Sequence, residues 1–139
     1  MGTNIRPVLS LKNRYWIDRH RYYELKHFCL QYPEWKRSYA ALDNLRNRRL
    51  VRDIFNRTNE VPRPTSQIAE QKLFFRERIE LVESSAEEAD AFLADYILEG
   101  VTKERSYVYL KAKLDIPCGK DVYYELYRKF FWILSNKRL

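Results

Sequence analysis

Apolar side chains recur along this chain at intervals of three and four residues, the spacing that lines one face of an α-helix. From Arg14 to Gln31 the stripe is Ile17, Leu25, Phe28 and Cys29, with Tyr22 and Tyr32 beside it. Pro33 breaks that register. A proline is tolerated in a first helical turn and damaging in an interior, so "YPEWKRSYAALDNL" predicts a fresh helix. Its buried positions are Trp35, Tyr39, Leu42 and Leu45. A third helix opens near Ser66, carries Ile68, Phe75, Ile79 and Val82, and stops at Ser84-Ser85. Ser85 and Glu88 have capping-box spacing, which predicts a helix over 86–99 holding Ala89, Phe92, Leu93, Tyr96 and Ile97. Gly100 is placed to end it through a left-handed residue. Thr102 is expected to cap a helix over 103–114 with Tyr107, Leu110 and Leu114, and the last helix runs over 120–136. No strand-like alternation of useful length occurs. The expectation is an all-α protein of about six helices, with a C-terminal trihelical, helix-turn-helix-like unit at 86–136 packed with an N-terminal helical pair.

The domain organisation follows. Residues 1–45 read as an arm and a helical hairpin, and 66–139 as a helical domain. Residues 46–65, "RNRRLVRDIFNRTNEVPRPT", read as a basic linker rich in Arg and Pro, with "LVRDIF" as a short helix.

The joint before the last helix, "LDIPCGK", carries the functional reading. Leu110, Leu114 and Ile116 hold such a joint together. Asp115 stands where the chain needs a left-handed residue, a conformation Asp tolerates. Pro117 stiffens the turn, and Cys118 or Gly119 serves as N-cap. On a wheel at about 100° per residue, Val122, Leu126, Phe130 and Ile133 point inward with Tyr123 on their shoulder. Tyr124, Arg128 and Ser135 point outward, with Lys120 and Asp121 near the helix start. In a trihelical DNA-binding unit the third helix lies in the major groove. Lys120 and Arg128 then meet phosphate or a guanine edge and Tyr124 a phosphate or thymine methyl, with Arg105, Lys111 and Lys113 as further cations. Phe131 and Trp132 fall on the outer side late in the helix, where they form an interface with the N-terminal helices or a second copy.

Charge supports a polyanionic partner. The 139 residues carry a net +7, with a pI near 9.4. Residues 1–65 hold 14 Lys/Arg against 6 Asp/Glu (+8), 66–100 hold 3 against 9 (−6), and 101–139 hold 9 against 4 (+5). Acidic helices would face away from phosphate while the basic ends face it. Cys29 and Cys118 lie far apart, outside any CxxC spacing, and read as free thiols of a reducing compartment. No apolar run suits a signal peptide or a membrane span, so the cytoplasm of a bacterial host cell is the expected location.

The stretches "KNRYWIDRHRYYELKHFCLQYPEWK" and "YVYLKAKLDIPCGKDVYYELYRKFFWILS" resemble a family of small, largely uncharacterised proteins of Firmicutes phages and prophages. The segment "YLKAKLDIP…DVYYELYRKFFWIL" also resembles the region-four helix-turn-helix of sigma factors and the late-gene regulators of the ArpU type. The resemblance implies a phage regulator acting on double-stranded DNA, with RNA polymerase or another host protein as a further partner, and a homodimer suits it. It identifies no catalytic residues.

Other chemistry finds little footing. His20 and His27 stand two helical turns apart near Cys29, but the spacing matches no common zinc finger. Glu77, Glu80, Glu87, Glu88 and Asp90 have the spacing of a solvated helix face, without the companion base a nuclease needs. Neither an enzyme nor a cofactor is expected. The rival reading is a phage-encoded module that inhibits a host protein, for example as an anti-defence or anti-CRISPR inhibitor.

Overall fold

A computed structural model describes residues 13–56 and 65–138. These form six helices and no strand, so the protein is all-α. Helix α1 (Arg19–Leu30) is opened by Asp18, whose carboxylate accepts the His20 amide at 3.0 Å. After Gln31, α2 (Tyr32–Asn56) starts with Pro33 in its first turn, and Trp35 packs edge-on against Phe28 at 4.8 Å. The "QYPEWK" segment is thus a packed corner. Helix α2 does not end at Leu45; it continues through the first half of the expected linker, where Leu and Arg favour helix and no proline occurs before Pro62. The rest of that linker, and the N-terminal arm over 1–12, lie outside the described residues.

Helix α3 (Thr65–Ala89) runs unbroken through Ser84-Ser85, against the sequence expectation. Both hydroxyls donate to the Leu81 carbonyl, at 3.3 and 2.7 Å, so they turn back onto the helix instead of capping a new one. The stop is supplied by Asp90, which accepts the Phe92 and Leu93 amides at 2.9 and 3.0 Å. Helix α4 (Ala94–Lys103) therefore begins eight residues later than the capping box predicted. Gly100 is inside it, and the left-handed terminator is Glu104 (φ 57°, ψ 40°). Thr102 is also internal and donates to the Leu98 carbonyl at 2.6 Å. The cap of α5 (Tyr107–Leu114) is Ser106, which accepts the Tyr109 amide at 3.2 Å.

The next joint forms as its sequence requires, except that Leu114 is 39% exposed and takes no part in holding it. Asp115 is left-handed (φ 50°, ψ 50°), and this turns the Ile116 amide back to the Leu110 carbonyl at 3.2 Å. Ile116 and Leu110 are fully buried beneath it. Gly119 is the N-cap of α6 (Lys120–Lys137).

Helix α2 lies antiparallel along α3. Lys72 pairs with Asp43 at 2.6 Å, Lys36 with Glu83 at 3.9 Å, and the Tyr32 hydroxyl donates to Glu83. The C-terminal part of α3 rests on α6, where Lys137 reaches Glu88 at 2.9 Å and Ser84 at 3.0 Å. Helix α1 packs on α6 and α4: Arg21 donates to the Ser135 hydroxyl and carbonyl at 3.2 and 3.1 Å, and Lys26 pairs with Glu104 at 3.0 Å. One core joins Ile17, Leu25 and Trp35 to Val82, Ile97, Phe130 and Leu134. No described helix is long and apolar enough to cross a membrane.

Candidate nucleic-acid interface

Helix α6 buries a different side from the one its aliphatic residues suggested. Tyr123, Tyr124, Phe130, Phe131, Ile133 and Leu134 are buried, Leu126 is partly covered, and Val122 is 53% exposed. The inward face is rotated by roughly a quarter turn from the predicted one. The cause is an aromatic cluster. Tyr22 of α1 meets Phe131 edge-on at 5.1 Å and shares a 2.7 Å hydroxyl–hydroxyl hydrogen bond with Tyr127. Tyr123 stacks near Tyr107 at 6.0 Å and Tyr124 at 5.1 Å. Rings bury more area than Val122 can, and each phenol carries a polar tip that finds a neighbour with one exception. The exception is Tyr123, whose buried hydroxyl has no hydrogen-bond partner.

One site assignment falls with this rotation. Tyr124 is only 6% exposed, and its hydroxyl faces the Tyr107 amide at 3.5 Å, so it is unavailable to DNA. Phe131 is fully buried against Tyr22 of α1 and Tyr127, so of its two expected partners it takes the N-terminal helices and not a second copy. Trp132 is 37% exposed with its ring against Tyr15 at 5.7 Å, so it packs on the segment before α1. Tyr123-Tyr124 thus does not split one ring in and one out, whereas Tyr22 is buried and Tyr23 half-buried.

The cations fare better. Arg105, Lys111, Lys113 and Lys120 are exposed. The Arg105 guanidinium lies over the Tyr109 ring at 4.4 Å, and Lys113, one turn beyond Tyr109, continues that flank of α5. Lys111 lies on the other flank, about 200° from Lys113, where it donates to the Ile116 carbonyl at 3.3 Å and pairs with Asp115 at 3.6 Å. Tyr107 ties α5 to the joint by donating to the Cys118 carbonyl at 2.7 Å. Lys120 opens α6, whose N-cap glycine offers no side-chain acceptor to the first-turn amides. Arg128 is three-quarters covered and pairs with Glu125 at 3.3 Å. Asp121 is outward as expected, Val122 is outward though placed inward, and the outward residues that sequence reasoning passed over are Glu125 and Asn136. Their signal was present: polar residues at 121, 125 and 129 repeat every four positions, the spacing of a solvated stripe.

The remaining candidates do not converge. His20 and His27 are exposed while Cys29 is sealed, its thiol pushed far up by burial. Among the described residues no group of three His, Cys, Asp or Glu is placed to hold a metal ion. A cleft of about 510 Å³ between the start of α2 and α4 is lined by Lys36, Arg37, Lys103, Asp95 and Glu99. Each of its bases already pairs with a carboxylate, respectively Glu83, Glu34 and Glu99.

No family model matches this chain, and no curated protein or solved structure matches it either.

Proposed function

We propose that the chain is a phage-type transcription regulator that binds double-stranded DNA through α5, the 115–119 joint and the first turns of α6. The observation that carries this reading is the joint itself. A left-handed Asp115 ends α5 above a buried Ile116, and α6 starts after it at an exposed Lys120. Lys111, Lys113 and Arg105 stand exposed on the preceding helix. A helix start with unoccupied amides carries partial positive charge and suits a phosphate. Base reading falls to the outward residues Lys120, Asp121 and Glu125, where a carboxylate can accept from a cytosine amine. Tyr124 has no part in it. The regulator would work in the cytoplasm of a bacterial host, with RNA polymerase as the natural second partner.

The test is selection from a random duplex pool, followed by titration of the selected site. Lys113→Glu with Lys120→Glu is expected to weaken binding at least about tenfold at low salt, with unchanged helical circular dichroism. Equal affinity for both proteins rejects this interface.

A second reading is favoured by one observation. Phe92, Val108 and Val122 are 79%, 72% and 53% exposed, apolar area that a DNA contact does not require. These residues suit a module that docks on and inhibits a host protein. Stoichiometric capture of one host protein, with no duplex retention, would establish that reading over the first.

A further inference from the structure

The first turn of α6 is built from residues poorly suited to opening a helix. Its N-cap is Gly119, its first position Lys120 and its third Val122. The amide end of a helix carries partial positive charge, which disfavours a lysine there. The third position is where a glutamate would complete a cap, and a β-branched valine loses side-chain freedom in a helix. Burial does not compensate, because Val122 is 53% exposed. Gly119 is not demanded by the fold either: its φ is −78°, and a Cβ built on it meets nothing within 4 Å. Departures from local rules that bring no gain in packing belong to places where contact with something else outweighs stability.

A duplex groove gives each of these residues a role. Gly119 leaves the backbone bare, so that another backbone can approach closely. Lys120 supplies charge for phosphate. Val122 and Glu125, one turn apart, share the outward side of α6 with Asp121. The carboxylates can accept from a base edge, whereas Val122 has no hydrogen bond to give or take. The apolar group that base pairs present in the major groove is the C5-methyl of thymine. A valine in a helix is held in nearly one rotamer, so its two methyl groups meet that target with little loss of freedom. Its short side chain reaches a base only where the helix lies close, which the bare Gly119 permits. We propose that Val122 is a specificity-determining residue that reads a thymine through its 5-methyl group. This rests on the DNA-binding reading above and adds to it an apolar base contact. Phe92 precedes α4 and Val108 lies on α5, so neither belongs to this turn.

The experiment uses the full chain and its selected duplex, with each thymine replaced in turn by uracil. That exchange removes one methyl group and leaves base pairing intact. At one position it is expected to weaken binding about fourfold, the weight of one methyl group withdrawn from water. Val122→Ala should weaken binding to the thymine duplex by a similar factor and be indifferent to uracil at that position. Val122 is exposed and alanine is the better helix former, so the variant should keep its thermal midpoint. Absence of any uracil-sensitive position, or a sensitivity that persists undiminished in Val122→Ala, overturns the proposal. So does a chain that binds every duplex equally, or a Val122→Ala variant that binds duplex normally but loses a host protein. The two readings fail differently. If Lys113→Glu/Lys120→Glu weakens binding and no uracil effect couples to Val122, the α5–α6 interface stands and the methyl contact falls. If the unmodified chain retains no duplex at low salt, both fall.

Discussion

Gly100 lies within α4, buried, with no positive φ to explain it. What it provides is absence of volume: a Cβ built there would collide with the Tyr123 hydroxyl. The same hydroxyl is a buried polar atom without a hydrogen-bond partner, so one contact combines a tight fit with an unsatisfied donor. In an open helix Gly→Ala gains about 1 kcal/mol. Here Gly100→Ala should instead lose about 1–3 kcal/mol by overpacking, measured as a lower urea midpoint. Tyr123→Phe should be neutral or stabilising by up to about 1 kcal/mol, and combining the two should recover part of the loss. Additive effects would mean the two side chains do not meet. Residue-scale backbone chemistry was legible where a local rule had no competitor. Asp115 beside Ile-Pro-Cys-Gly could be assigned a left-handed conformation from sequence. Glu104 could not, because Gly100 offered itself as the terminator and only its contact with Tyr123 shows why it is needed elsewhere.

At the scale of elements, helix existence and type followed from spacing, while ends and facing directions depended on neighbours. Ser84-Ser85 looked like a break because serine caps helices. It is internal because Ser85 is sealed against α3's own backbone and the adjoining Val82, Ala86 and Ala89 are needed in the core. For α6, the wheel was sound but the residue weighting was not. Val122 was assigned inward and Tyr124 outward, yet the site facing α1 is wide enough for rings, and the hydroxyls of Tyr22 and Tyr127 find one another there. This fixes an expectation. Phe131→Ala should cost about 3–5 kcal/mol, whereas Val122→Ser should cost less than about 0.5 kcal/mol in chemical denaturation. The reverse order would restore the original stripe and with it an outward Tyr124.

Over the whole molecule, the phenols make stability depend on alkali. Burial raises Tyr22, Tyr123 and Tyr127 above the ordinary phenol range, and Tyr32 is raised by burial and by donating its proton to Glu83. Phenols of the unfolded chain ionise first, near about pH 10, so the folded state then holds more protons than the unfolded one. Their contribution is complete below that pH and is lost as pH rises further. Urea midpoints should be level to about pH 8 and fall beyond it, first as the unfolded Cys29 thiol ionises and then the phenols, with a smaller fall in Tyr127→Phe. A midpoint that stays level into strong alkali would contradict the buried cluster. The charge map of the molecule, by contrast, needed no coordinates: basic ends and an acidic middle are properties of composition. Sequence alone determined the helical class, the α5–α6 joint and the excess of positive charge, because periodicity, turn stereochemistry and charge count are local or additive. The tertiary structure decided which face of α6 is hidden, which glycine matters, and that α2 continues as helix to Asn56. Those outcomes depend on what lies across the contact, and residues such as Tyr22 and Tyr127, 105 positions apart, meet only when the chain is folded.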